Sequence, residues 1–162
     1  MKNNVYSLLL SLIVSMSFFR CTLTSDKDYG MQIKIGDAKH FKLDFRTGEY
    51  TRYYVGGSQQ TIQLKFSEEE RRKIVDKYYS LTLNKLPPEF SAAHCKTHSS
   101  AALSIEFKTK AGMQKALIDL TCYRDSSDVH SIHLQKFVES LEQLVVNKEQ
   151  FKTLKPSDFW EM

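Results

Sequence analysis

No stretch of this sequence is long and apolar enough to cross a bilayer as a helix. The longest apolar run, Val5 to Phe19, has fifteen residues, and a spanning helix needs about 20. A G-x-S-x-G elbow, a phosphate-binding P-loop and a dinucleotide-binding glycine fingerprint are all missing. Gly56-Gly57 is followed by no helix start that would hold phosphate. Charge of one sign is scarce too: the formal net charge is +4, and two of those charges, Lys2 and Arg20, lie in the first twenty residues, which hold no acid. What remains is +2, with no electrostatic drive toward nucleic acid or an anionic membrane. Cysteine is limited to Cys21, Cys95 and Cys122.

The first thirty residues are organised for export. Lys2 precedes the run V-Y-S-L-L-L-S-L-I-V-S-M-S-F-F, a basic segment followed by an apolar one, as in a signal peptide. Two processing sites compete. Ser15 and Ser17 form the small-x-small pattern that precedes a soluble cut, and Cys21 follows four residues later. The stretch Ser15 to Cys21, followed by the polar T-L-T-S-D-K-D-Y-G, resembles the relaxed lipobox of bacterial lipoproteins, in which Ser and Phe stand near the cysteine; Arg20 occupies the place where a small residue is usual. The resemblance implies a signal peptide at 1–20, a lipid on Cys21 as the sole attached group, a tether over 21–30 and a location in the cell envelope. Cleavage near Ser17 would instead give a secreted soluble protein. The mature chain of 142 residues fits a single domain, 31–162, that can bury about two thirds of its unfolded surface.

Export gives the two remaining cysteines a role. In an oxidising compartment Cys95 and Cys122 can pair, closing a loop of about 27 residues worth about 3 kcal/mol in the chain-entropy model.

Along 31–162 the apolar pattern alternates between periods of two and 3.6. Met31, Ile33 and Ile35 begin a strand, and Phe41, Leu43 and Phe45 alternate with His40, Lys42, Asp44 and Arg46. After Thr47-Gly48 the run E-Y-T-R-Y-Y-V reads as a strand, and after Gly56-Gly57 a fourth strand carries Ile62, Leu64 and Phe66. Four strands with short connections predict an antiparallel meander with one wet face. Ser67 and Glu70 form a capping box for a helix with Ile74, Val75, Tyr78 and Leu81 on its inner stripe. Pro87-Pro88 is expected to end it. Residues 89–100 read as a loop. A second hairpin follows, Leu103 to Cys122 around Lys110-Ala111-Gly112, and then a helix capped by Ser126, Ser127 or Asp128 and running to about Val146. The tail is irregular, docked by Leu154, Phe159 and Trp160. The fold class is α+β: one antiparallel sheet of hairpin–helix, hairpin–helix units with two helices on one face. D-F-R-T at Asp44 and E-F-K-T at Glu106 match in character, which fits either an internal duplication or two similar amphipathic strands.

Two side-chain groups are candidate sites. His94, Cys95, His98, Cys122, His130 and His133 supply imidazole and thiolate, the donors zinc takes in a tetrahedral site. Their spacings match no established zinc pattern, and a Cys95–Cys122 bridge would remove both thiolates. A thiol–imidazole nucleophile built from Cys95 and its neighbours meets the objection that adjacent residues in an extended segment point apart. The carboxylates fall on solvated faces, turns, caps or, for Asp26 and Asp28, in the tether, so no glycosidase pair is marked. The other group is Tyr50, Tyr53 and Tyr54 on one strand. Alternation sends at least one of them to the wet face, where tyrosine marks a contact surface for a protein, peptide or sugar; cross-strand packing is the competing role.

Export signal, Cys21, hairpin–helix body and the closing K-P-S-D-F-W together resemble the small lipoproteins of Gram-negative bacteria, a resemblance that implies no particular activity. It leads to a non-enzymatic, membrane-anchored envelope protein that binds or scaffolds an unidentified envelope component through the outer face of its sheet. A metal-binding protein or enzyme using the Cys/His group, and an inhibitor of an exported hydrolase, are the alternatives.

Overall fold

A computed structural model describes residues 27–37, 39–91, 102–119 and 128–156. Seven strands form one sheet: β1 Gln32–Gly36, β2 Phe41–Asp44, β3 Glu49–Tyr53, β4 Gln59–Gln63, β5 Glu89–Ser91, β6 Ala102–Thr109 and β7 Gly112–Asp119. Their order is β4-β3-β2-β1-β6-β7-β5. Every neighbouring pair is antiparallel except β5 with β7. Three helices accompany them: α1 Glu68–Ser80, α2 Val129–Val146 and α3 Glu149–Lys152. The α+β reading is thus correct, with three helices among the described residues in place of the two expected.

Alternation builds the core. Ile33 and Ile35 of β1, Leu43 of β2, Tyr50 of β3, Leu103, Ile105 and Phe107 of β6, and Ala116 and Ile118 of β7 all turn to one face. The stripes of α1 and α2 close over that face. Tyr78 of α1, Phe107 of β6 and Phe137 of α2 meet at its centre, with ring centroids 4.8 to 6.5 Å apart. All three are essentially inaccessible to solvent, a geometry in which aromatic pairs add about 0.5–1.5 kcal/mol beyond their buried area.

The helix starts follow local chemistry. Ser67 accepts a hydrogen bond from Glu70 N at 3.2 Å, and the Glu70 carboxylate accepts from Ser67 N at 2.7 Å. Asp128 is the cap of α2, accepting from Ser131 N and Ser131 Oγ. Between β2 and β3, Gly48 sits at φ 83°, and a Cβ there would come within 2.2 Å of the Leu64 carbonyl oxygen. Only glycine fits this turn.

Five expectations are corrected. First, α1 does not run to the prolines. It ends at Ser80, and Thr82 takes the left-handed conformation at φ 54°. A short 3-10 turn, Leu83–Lys85, then carries Leu83 and Leu86 into the core. The effect of Pro87 is felt at Leu86, which is extended, as a residue before proline must be. Second, residues 89–91 are strand β5, whose Pro88 carbonyl accepts from Lys115 N; three residues are too short to display a period. Third, the irregular tail contains α3, and its Leu154 is buried as expected; Phe159 and Trp160 lie outside the described residues.

Fourth, the body starts before Met31. Lys27 pairs with Asp76 of α1 at 2.6 Å, and Asp28 N donates to the Tyr79 hydroxyl. The Asp28 carboxylate, expected in a solvated tether, is buried and accepts from Gly30 N and from Lys110 N in the β6–β7 turn. Lys27–Gly30 therefore belong to the domain. Fifth, the D-F-R-T and E-F-K-T strands, β2 and β6, do not open equivalent hairpins. β2 and β6 both flank β1 antiparallel, so they run the same way, and both put their apolar residues under the helices. Yet β3 lies on the far side of β2 and β7 on the opposite far side of β6. Seen from the core, the two hairpins curl in opposite directions, and no rotation superimposes them.

Candidate contact surface

With the helices on one side, the described helices leave the other side of the sheet uncovered. Its side chains stand in rows set by strand register. One row reads Thr61, Thr51, Lys42, Gly36, Ser104 and Leu117 across β4, β3, β2, β1, β6 and β7. The next reads Glu49, Asp44, Lys34, Glu106, Lys115 and Glu89. Both signs of charge share that second row, and Lys34 lies 3.8 Å from Asp44. Such a band holds its water and suits a polar, charge-complementary partner. The first row is made mostly of short side chains, joined at one end by a Thr51–Thr61 hydroxyl contact of 2.9 Å.

The three tyrosines separate across the sheet. Tyr53 is on the outer face, where Lys42 Nζ lies 5.7 Å from its ring centre, a cation–π contact within reach of solvent. Tyr50 is only 6 % exposed. It stacks with Phe41 at 5.8 Å, meets Phe151 of α3 edge-on at 5.3 Å, and burial pushes its phenol pKa up. Tyr54 turns to the helix side, where its hydroxyl donates to Gln60 Oε1 and the Lys155 carbonyl. A contact face of Tyr50, Tyr53 and Tyr54 therefore reduces to Tyr53, because alternation gives the other two to the interior side. On the outer face of β7, Met113, at 62 %, and Leu117 are exposed apolar side chains.

The Cys/His group is described only in part. Cys21, His94, Cys95, His98 and Cys122 lie outside the described residues. His130 and His133 occupy the first turns of α2, one helical turn apart. Their Nδ1 atoms are shielded from solvent and make no hydrogen bond among the described residues, and the His130 ring meets Phe90 of β5 edge-on at 6.0 Å. Among the described residues no three His, Cys, Asp or Glu are grouped to hold a metal ion.

Two polar clusters that the sequence did not mark are structural. Asp37, buried in the β1–β2 turn, accepts from Lys39 N and His40 N and faces His40 Nδ1 at 2.7 Å; a carboxylate closing its own turn in this way is the Asx motif. An open depression of about 440 Å³ is lined by Tyr29, Phe66, Glu68, Arg71 and Arg72. Its charges are committed: Arg71 donates to the Phe45 and Arg46 carbonyls and stacks on Phe45 and Phe66, and Arg72 pairs with Glu68 at 2.9 Å. The only sequence signal for these clusters was short polar residues beside turns, which also marks ordinary loops.

Among the described residues no helix is long and apolar enough to cross a membrane. The chain matches no protein-family model, and it shows no significant similarity to any curated protein or solved structure with which it was compared.

Proposed function

We propose that this chain is an exported lipoprotein, anchored through lipid on Cys21, that holds or scaffolds another component of the cell envelope without catalysing a reaction. One observation carries the binding part: the three described helices cover a single face of the sheet and leave the other uncovered, mostly polar, with Tyr53 and Lys42 standing above a row of short side chains. Stiff amphipathic tyrosine on a hydrated surface is a common anchor of protein contacts. The anchoring part rests on the apolar run that ends at Cys21.

The body is held by a Cys95–Cys122 disulfide in this reading. Chain reach supports it. Ser91 lies beside Leu117 and Ala102 beside Asp119, so both connecting segments leave the sheet at the same end. Cys95 is four residues past Ser91 and Cys122 three past Asp119, distances an extended chain can bridge at about 3.3 Å or more per residue. Mass spectrometry without reductant is expected to find the bridged peptide; two free thiols, or stoichiometric zinc in the purified protein, would replace this reading with the Cys/His alternative.

The test of binding is crosslinking in intact envelopes followed by recovery of wild type, Tyr53→Ala and Lys42→Glu. Both variants are expected to lose the same partner. Equal recovery of every partner by all three proteins would remove the outer face from consideration.

A further inference from the structure

The two edges of the sheet are defended very differently. β5 is three residues long and follows directly on Pro87-Pro88, two features that discourage pairing. β4 at the other edge has neither. It pairs with β3 in unbroken register over five residues, and between Ser58 and Leu64 there is no charge and no proline. Tyr54 N donates to the Ser58 carbonyl and Leu64 N to the Gly48 carbonyl. By alternation Gln60 and Ile62 also bond inward to β3, which leaves the N–H and C=O of Gln59, Thr61 and Gln63 directed away from the sheet.

We infer that β4 pairs antiparallel with β4 of a second copy of this chain, about a two-fold axis at Thr61. The edge is its own complement in that register. Gln59 meets the partner copy's Gln63, Thr61 meets Thr61, and Gln63 meets Gln59, and these are the residues whose backbone groups point outward. The Thr51–Thr61 hydroxyl contact continues across the axis into a row of four threonines, a favourable cross-strand pairing. Facing glutamine amides can donate to and accept from one another. On the helix side the half-buried Ile62 comes opposite the partner copy's Gln60 and loses more of its solvent contact. A surface that satisfies itself about a two-fold is the commonest design of a homodimer. The inference is independent of how the chain is anchored.

The test uses the full chain in density-matched detergent, followed by sedimentation equilibrium over rising protein concentration. Wild type is expected to double in mass reversibly. Gln59→Lys combined with Gln63→Lys sets like charges against each other at both ends of the pairing and should raise the dissociation constant about 10-fold or more. Gln59→Glu combined with Gln63→Lys sets opposite charges against each other in this register, keeps a lysine opposite Glu49 of the same chain as in the first pair, and should return it to within about 3-fold of wild type. Both glutamines are exposed, and both pairs of substitutions give up the same bond from Gln63 Nε2 to the Thr47 carbonyl, so circular dichroism should show intact folds and thermal unfolding should show equal, small shifts in the two variants. A wild type that stays monomeric throughout overturns the inference. So does a dimer that the double-lysine pair leaves unmoved, or one that the charge-swapped pair fails to restore; the strand would then be covered by the chain's own tail or by a foreign peptide.

Discussion

Glu70 and Lys148, 78 residues apart, meet with both carboxylate oxygens 2.6 Å from the ammonium. Glu70 is also the reciprocal half of the α1 capping box, and Lys148 is the residue that starts α3. One carboxylate thus closes the first turn of a helix and fastens the C-terminal segment to it, with Lys148 Nζ 5.2 Å from the Phe66 ring centre. The hydrogen bond from Lys148 holds the Glu70 pKa below its ordinary value. A depressed folded-state pKa contributes stability that is complete above the unfolded value near 4.5 and lost as pH falls through the folded one. Glu70→Gln should cost about 1 kcal/mol at pH 7. Urea midpoints of the two proteins should begin to converge as pH falls below 4.5; a constant gap throughout the acid range would mean that charge is not the cause.

The same logic applies to Asp128, whose pKa is lowered first by the Ser131 hydroxyl and then by the Ser131 amide. Asp128→Ala removes the α2 cap and should cost about 1 kcal/mol. Asp128→Asn retains a capping oxygen and should recover most of it at neutral pH. Thermal unfolding of the three proteins would decide the matter, and equal losses in both variants would count against capping.

Tyr78 donates to Gln114 Oε1, and Gln114 Nε2 donates to the Leu86 carbonyl at 2.6 Å. This short relay links α1, β7 and the 3-10 turn inside the core, and burial raises the phenol pKa well above its ordinary value. Tyr78→Phe keeps the ring packing and strands the amide oxygen, so it should cost about 1–3 kcal/mol. A neutral result in chemical denaturation would show that water replaces the hydroxyl.

Tyr50 and Tyr53 are two residues apart and should respond in opposite ways to truncation. Tyr50→Ala opens the core against Phe41 and Phe151 and should cost about 3–5 kcal/mol. Tyr53→Ala removes a half-buried ring on the outer face and should cost about 1 kcal/mol while abolishing partner capture. Comparable destabilisation by both would contradict the assignment of one to each face.

Asp28 gives the last prediction. Amide exchange at Gly30 and Lys110 should be slow in wild type and faster in Asp28→Ala, because the carboxylate accepts from both. Unchanged exchange at Lys110 would detach residues 27–30 from the domain.

Much of this architecture is legible in the sequence because its strands are half-buried and its helices amphipathic. Phe41-Leu43-Phe45 and Leu103-Ile105-Phe107 announce which face is inward, and Ser67 with Glu70 announces a helix start that the structure reproduces bond for bond. What resisted reading lacks a local signal. β5 is too short for a period, and its partner β7 comes more than twenty residues later. Thr82 ends α1 by a backbone conformation that its side chain does not advertise. Asp28 looks like any solvated acid until the β6–β7 turn folds against it. The tyrosines of β3 show their spacing but not their sides, because the pattern E-Y-T-R-Y-Y-V has aromatic residues in both phases and only the neighbours, Leu43 and Phe151 inside and Lys42 outside, decide between them.

With lipid on Cys21, the docking of Lys27 on Asp76 and of Asp28 on Tyr79 would set a radius of action. Six peptide steps separate Lys27 from Cys21, about 20 Å when fully drawn out, less than the thickness of the hydrocarbon core. Acylated at that cysteine, the body could not roam the space between membranes. It would ride against the headgroups on a short leash, meeting neighbours in the plane of the bilayer, where two copies encounter each other far more often than in free solution.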